Sequence, residues 1–447
     1  MTKEHFSIHG LDNKLNCLDL FKGKHYFNIT LIVLCIIYTV IFGYNGVVLG
    51  LNLFSFSFFL YRFILTLYGV RGDEDNAKMV AYTTELPKYC ILLPMRNENI
   101  PVVRDLINNI NKLNYPKDKL DVIMLVDQDD DYLEAIKAMD KPDYFRIESA
   151  APEFPYTKPK VCNLGLYSTD AEYVTIYDAE DAPDPDQLLK VLYKFNNTDA
   201  SCVQCRLNYN NQNPNWMSKF FNLEYLTWFS MTIVGLSKIQ GDRAIIPLGG
   251  TSQHLRVKEL IELGGWDAFN VTEDCDLGIR LAKLGKTTVI SNSYTNEIAV
   301  QELKHFIPQR TRWQMGFMVT YINHCKDLNT FKELGLSRSI HFIGSIAGNF
   351  INPLITPLLF IIFLLSLFGV GGETYLATLP IITLIGNYIL IVLSHLIASI
   401  RYQKGKYWIY SLFQPIYYLI QVYTVHRAVY KLFTATYQWE KTEHTVE

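Results

Sequence analysis

Three groups of acids follow closely on three apolar runs. Pro94-Met95-Arg96-Asn97-Glu98 closes the run YCILLPM (89–95), Asp127-Gln128-Asp129-Asp130-Asp131 follows LDVIMLV (120–126), and Asp178-Ala179-Glu180-Asp181 follows EYVTIY (172–177). A single strand-end Asp is commonly a helix cap or a turn former. Three acidic groups at one sheet edge exceed that need. Carboxylates grouped this way suit a hard divalent cation, which takes oxygen ligands and bridges substrate phosphates. Such an ion would offset the charge that builds on a diphosphate leaving group. Asp178 and Glu180 form a D-x-D-like pair around a small Ala, and Asp181 is an alternative second ligand. Lys158, in TKPKVCN, is placed to counter phosphate charge, as is Lys160.

Two later groups add the remaining functions such a reaction needs. Thr272-Glu273-Asp274 opens the helix-like stretch DLGIRLAKLG. A carboxylate at a helix start is stabilised by the dipole, and Asp274 can also deprotonate a hydroxyl as a general base. Gln309-Arg310-Thr311-Arg312-Trp313 offers a guanidinium for bidentate phosphate contacts and an indole face for a sugar ring. Asp276 and Arg280 have the i,i+4 spacing of a surface ion pair, with no chemistry expected of them. Cys202 and Cys205 form C-x-x-C inside a strand-like run with no second Cys/His pair, so two strand cysteines are expected rather than a zinc site.

The elements that must position these residues alternate. Strands are expected at 89–95, 120–126, 172–177 and 202–207, and helices at 101–113, 131–139, 160–168 and 184–196. The β-α-β alternation predicts a mostly parallel sheet with helices on both faces. Ligands bind such sheets beyond the carboxyl ends of the strands. The 447 residues carry 41 Lys+Arg against 44 Asp+Glu, a balance without the basic footprint of a nucleic-acid partner.

Both ends of the chain are apolar. Residues 28–44 are uncharged and near the length of a bilayer span, and a second run follows the Asn45-Gly46 turn to about Leu60. Arg62 is expected to snorkel to the interface from the end of that run. In the C-terminal third an interfacial helix precedes a span at about 351–368, and a further span is expected at 376–398. The aromatic stretch 407–425 fits an interfacial or re-entrant segment. Four spans are thus expected, with 407–425 as a possible fifth. Basic residues flank the outer ends of the first hairpin and follow residue 398, while the loops between carry none. The positive-inside rule then places the N-terminus and the middle region in the cytoplasm. The expected division is 1–71, a transmembrane hairpin; 72–335, the α/β domain; and 336–447, an interfacial helix with C-terminal spans.

In order and wording these motifs resemble the membrane-embedded, inverting family-two glycosyltransferases, which include cellulose, chitin and hyaluronan synthases, and within them a cellulose-synthase-like bacterial exopolysaccharide subgroup. The resembling stretches are LDVIMLVDQDDD, TKPKVCN, YDAEDAPDPDQL, PLGGTSQH, GGWDAFNVTEDCDLGIRLAKLG, QRTRWQMGF and the terminal YQWEKTEH around Trp439. The resemblance implies a GT-A fold, a Rossmann-like sheet inserted between membrane helices. It implies a UDP-sugar donor, with UDP-glucose or UDP-N-acetylglucosamine favoured, a glycan acceptor, and Mg²⁺ or Mn²⁺ held by Asp178 and Glu180. Donor contacts would come from Pro94, Glu98, Asp127, Lys158, Asp178, Gln309 and Arg312. Trp313, Glu273 and Thr272 would face the acceptor, and Asp274 would be the base. The implied product is a β-linked polysaccharide made processively at the plasma membrane, with an accessory or periplasmic export partner. Single transfer to a lipid or polyprenyl phosphate is the alternative. His254, in GGTSQH, is expected to be structural. The chain ends soon after Trp439, so no appended regulatory domain is expected.

Overall fold

The computed structural model describes residues 16–17, 20–21, 25–70, 78–127, 130–150, 154–211, 213–326, 329–369, 374–403 and 405–434. Its sheet is built from β1 (Tyr89–Met95), β2 (Leu120–Asp127), β3 (Phe145–Ala150), β4 (Tyr173–Ile176), β5 (Ala182–Pro183), β6 (Ala200–Tyr209), β7 (Gln253–Arg256) and β8 (Thr287–Glu297). The strands lie in the order β3-β2-β1-β4-β7-β6-β8-β5. β3, β2, β1 and β4 are mutually parallel, β6 and β8 are parallel, and β7 runs antiparallel between β4 and β6. This is the mostly parallel α/β sheet expected for a GT-A fold, with apolar helices before and after it.

The strands form because alternate residues face two different cores. Tyr89, Ile91 and Leu93 of β1 pack into one apolar cluster, while Cys90 and Leu92 pack into the other. In β2, Val122, Met124 and Val126 divide from Ile123 and Leu125 in the same way. Cys202 and Cys205 of β6 fall into opposite clusters as buried free thiols, as two strand cysteines should. The Ile100–Asn111 helix has Pro near its first position and buries Val103, Leu106, Ile107 and Ile110, its 3.6-period apolar stripe. His254 sits in the sheet interior, where the Tyr89 hydroxyl lies 2.7 Å from Nδ1 and Gln187 Oε1 lies 3.2 Å from Nε2. Its polar atoms are satisfied locally, as a structural role requires.

Among the described residues three helices are long and apolar enough to cross a membrane: Tyr26–Val70, Asn329–Leu367 and Thr378–Tyr402. The first breaks at Gly43, where φ is +58°. The Tyr38 hydroxyl donates to the Gly46 carbonyl at 3.0 Å. A straight helix would separate those two residues by about 12 Å of rise. The chain therefore folds back at Gly43, a backbone conformation that L side chains avoid. The two arms, 26–42 and 44–70, coincide with the two N-terminal runs read from the sequence. In the C-terminal third, the expected interfacial helix is continuous with the span that follows it, through residues 343–347. The Trp408–Thr434 helix is not among the three apolar helices, but it is inverted relative to a helix in water. Ile416, Leu419 and Tyr423 are exposed, while Gln414, Gln421 and Thr424 are buried.

Arg62 differs from expectation. Its guanidinium turns inward, donates to Asn349 Oδ1 at 2.8 Å and lies 5.0 Å from the Trp228 ring centre. Polar partners on neighbouring helices hold the charge inside the bundle, so it does not snorkel outward.

Candidate active site

β1, β2 and β4 are adjacent and parallel, so their carboxyl ends open on one side. There the structure forms a cavity of about 360 Å³, and Pro94, Glu98, Lys158, Asp178, Glu180, Thr272, Glu273, Asp274, Gln309, Arg312 and Trp313 all line it. Asp127 ends β2 at the same edge; its side chain lies outside the described residues. Lys160 is fully buried and does not line the cavity.

Lys158 begins the Lys158–Ser168 helix. Its ammonium pairs with the Asp178 carboxylate and donates to the Gly250 carbonyl at 2.8 Å. Burial works against its charge, but Asp178 and Glu273 outweigh that, and its pKa is raised. Lys158 is thus a buried cation within the site. The Gly250 backbone runs beside both groups: a Cβ there would lie at ordinary contact distance, 3.4 Å from Asp274 Oδ2 and 3.7 Å from Lys158 Nζ.

The D-x-E turn is held from below. Asp181 is fully buried, and its Oδ2 accepts the Asp178 N–H at 2.7 Å and the Thr251 hydroxyl. Asp181 does not line the cavity, so it braces the turn and leaves Asp178 and Glu180 to face the open space. Glu297, at the end of β8, lines the cavity beside them with Oε1 buried and unpartnered. Burial, and then the charges of Asp181, Glu180 and Asp178, push the Glu297 carboxyl well up. Among the described residues no three His, Cys, Asp or Glu side chains close on one point as a preformed metal cage. An ion that binds through one or two carboxylates and substrate phosphates does not need one. The orphaned Glu297 oxygen and the crowded acids around it fit a divalent cation.

Thr272 and the Glu273–Lys283 helix place Asp274 across the cavity. Asp274 Oδ1 accepts the Cys275 N–H at 2.8 Å. Burial raises its pKa to about 6, against the opposing pull of that N–H, Lys158 and Arg312. Burial and the neighbouring Asp274 charge raise Glu273 to about 8. A base must be ionised, so transfer should be retained above pH 6 and should fall as the pH drops through about 6. A kcat/KM profile flat from pH 7 to pH 4 would rule out Asp274 as the base.

The segment carrying Asp274 docks directly on the Leu303–His324 helix. Asn270 donates to Thr320 Oγ1 at 3.0 Å, and a Cβ at Gly316 would come within 2.4 Å of Thr272 Oγ1. Gly316→Ala should therefore push Thr272 away, cost about 1–3 kcal/mol in stability and lower activity. An unchanged melting temperature and rate would refute that packing. Asp276 is the corrected member of this region. It is fully buried rather than a surface partner, accepting from Arg280 Nε at 2.7 Å and lying 2.8 Å from His324 Nε2. The His324 contact clamps the helix start to the end of the Leu303–His324 helix.

Sequence reading missed Glu224. Its two oxygens accept from Arg310 at 2.8 and 2.7 Å, and the Tyr417 hydroxyl adds a third bond at 2.8 Å. Arg310 in turn lies 4.4 Å from the Trp313 ring centre and 4.2 Å from that of Phe221. A lone acid in the apolar run FNLEYL was the available clue. Glu297, an acid closing a polar strand, was the other.

Comparison with known proteins bears on this arrangement. The family model described as glycosyl transferase family group 2 matches residues 173–394, and that described as glycosyl transferase family 2 matches 90–245. The chain belongs to the family-two glycosyltransferases. This transferase is 27% identical over 270 residues to the probable glycosyltransferase YdaM of Bacillus subtilis, covering 58% of this chain and 62% of that one. It is 26% identical over 274 residues to glucomannan 4-beta-mannosyltransferase 1 of Oryza sativa subsp. japonica, covering 58% and 51%. It is 27% identical over 245 residues to the beta-monoglucosyldiacylglycerol synthase of Trichormus variabilis, covering 54% and 51%. The matched stretch thus spans about half to three-fifths of these relatives. Among solved structures, the mannosyltransferase PcManGT from Pyrobaculum calidifontis, in complex with GDP-Man and Mn²⁺, shares the transferase's fold. The TM-score is 0.58 at 15% identity, covering 87% of this chain and 98% of that one.

Proposed function

We propose that this transferase moves a sugar with inversion from a UDP-sugar to a growing β-linked polysaccharide, processively, and passes the chain between its own membrane helices. One observation carries the reading. The cavity that holds Asp178, Asp274 and Trp313 is also lined by Arg62, Asn349, Ser394 and Gln421, from the helices flanking the sheet. In this reading Asp127, Pro94 and Glu98 contact the nucleoside at the strand ends, and Lys158, Gln309 and Arg312 bind the diphosphate. Asp178 and Glu180 would hold Mg²⁺ or Mn²⁺, which when bound neutralises charge on the departing diphosphate. Trp313 stacks on the acceptor sugar beside Thr272 and Glu273. Asp274 takes the proton of the acceptor hydroxyl, whose oxygen bonds to the anomeric carbon as the bond from that carbon to the diphosphate breaks.

The α/β region 72–335 would carry this chemistry on the cytoplasmic side of the plasma membrane. Segments 1–71 and 336–447 would supply the multi-pass membrane part, with an export partner beyond it. The exposed apolar side chains of the N-terminal arms support membrane insertion; Val40 is 78% exposed.

The test is transfer by the purified protein in lipid nanodiscs from radiolabelled UDP-glucose and UDP-N-acetylglucosamine, with Mg²⁺ or Mn²⁺ and the products sized. GDP-mannose joins the panel because the mannosyltransferase likeness recommends it. Long polymer from a UDP-sugar supports the proposal. Polymer from GDP-mannose alone overturns the UDP assignment, and a short lipid-extractable product replaces polymer synthesis by single transfer.

A further inference from the structure

Beyond Trp313 the cavity continues between the membrane helices, and its wall there carries a cation. Arg62 precedes the helix end at Val70 by about two turns, roughly 12 Å along the axis. A charge held among apolar helices is costly, and such residues mark binding sites or pathways more often than they mark packing. A guanidinium has five N–H donors in a planar fork suited to phosphate. Among the described residues Arg62 gives one hydrogen bond, to the neutral Asn349 Oδ1 at 2.8 Å, and it rests against the rings of Phe58 and Trp228. The acid on the same stretch of wall is Glu224, and both its oxygens are already held by Arg310 and Tyr417. The positive charge thus lines the cavity with Glu224 as a nearby charge but with no carboxylate hydrogen-bonded to it.

A second observation concerns another residue of the same cavity. Gln314 is 7% exposed, lines the cavity, and has Oε1 buried without a partner. Its Nε2 reaches Gln421 Oε1 at only 3.4 Å. An orphaned amide oxygen next to Trp313 awaits a donor such as a sugar hydroxyl. The wall that carries Arg62 mixes apolar Phe58, Phe59, Leu390 and Ile391 with polar Ser394, His395 and Tyr418. An anion attached to a hydrocarbon chain would meet the cation with its head and the apolar side chains with its chain.

We propose that Arg62 and Asn349 form an anion subsite for the phosphate of a membrane lipid that carries the first acceptor sugar. The sugar then lies between Gln314 and Trp313, within reach of Asp274. The proposal rests on the glycosyl-transfer reading and adds the chemical class of its first acceptor.

Full-length protein in phosphatidylcholine nanodiscs is titrated with farnesyl phosphate and with farnesol, and binding is read from tryptophan fluorescence, since Trp228 adjoins Arg62. UDP affinity in Mg²⁺ is measured alongside by calorimetry. Farnesyl phosphate should bind at least tenfold tighter than farnesol. Arg62→Gln should abolish that difference and Arg62→Lys retain part of it, with UDP affinity unchanged in both. Equal binding of phosphate and alcohol, or full phosphate affinity in Arg62→Gln, overturns the subsite. Competition by inorganic phosphate or methyl glucuronide at the same concentrations as farnesyl phosphate overturns the lipid assignment. Should Arg62→Gln lose UDP binding as well, Asn349→Ala decides, and a wild-type farnesyl phosphate affinity there overturns the proposal. Wild-type protein that binds farnesyl phosphate but no nucleotide sinks the glycosyl-transfer reading and leaves the subsite standing.

Discussion

Asp274→Asn should lower the transfer rate by about 10³-fold while leaving nucleotide affinity within twofold, because a positioned base contributes roughly 10²–10⁴. Three features set that size. The carboxylate stands at the start of the Glu273–Lys283 helix, where the Cys275 N–H fixes one oxygen at 2.8 Å and leaves Oδ2 toward Gly250 and the cavity. Burial lifts its pKa to about 6, so it is ionised at neutral pH yet basic enough to draw a proton from a hydroxyl in the transition state. Finally, Lys158 and Arg312 favour the charged carboxylate against burial, and the neutral amide loses that interaction. The amide is nearly isosteric and keeps the Cys275 bond, so the fold should survive. Single-turnover transfer and UDP calorimetry on the same preparation separate chemistry from binding. A variant with a rate within tenfold of wild type would remove Asp274 from the mechanism.

The second large effect is expected at Asp178. Asp178→Asn should lower kcat/KM by about 10²–10³, the scale of removing one group that stabilises charge as it develops. On the proposed reading Mn²⁺ raises UDP affinity in the wild type, and the variant should lose that gain. The carboxylate has two tasks. It faces the cavity where Asp178, Glu180 and Glu297 fit a cation, and it pairs with the buried Lys158 ammonium. An amide there keeps the turn, since Asp181 still accepts the Asp178 backbone N–H. The loss is therefore electrostatic rather than structural. Calorimetry with and without Mn²⁺ reads it directly, and a variant that keeps the full metal-dependent gain shows that Asp178 is not a ligand.

The strands that were readable were those buried on both faces. YCILLPM and LDVIMLV are continuous apolar runs because each alternate residue meets a core. The strands that were missed are polar. β8, TTVISNSYTNE, buries Thr288, Ser291, Ser293 and Thr295, and it is a strand because β6 pairs with it, not because of its composition. β7 is four residues, QHLR, whose place is set by the antiparallel gap between β4 and β6. Intrinsic preference does not encode such pairings.

The sequence by itself determined the chemistry on offer: acids at three strand ends, Asp274 at a helix start, the Gln309-to-Trp313 group, and apolar segments at both ends. Those features are local, since strand alternation, helix starts and span length are all written within a few residues. Only the tertiary structure decided the assignments that depend on long-range contact. It turned Asp181 under its turn onto Thr251, buried Asp276 against His324, fixed Arg310 and so Trp313 through Glu224, and swung Arg62 inward onto Asn349. In each case the partner lies on another element. Whether a charge is a ligand, a brace or a surface ornament follows from what desolvates and neutralises it, and that is a property of packing.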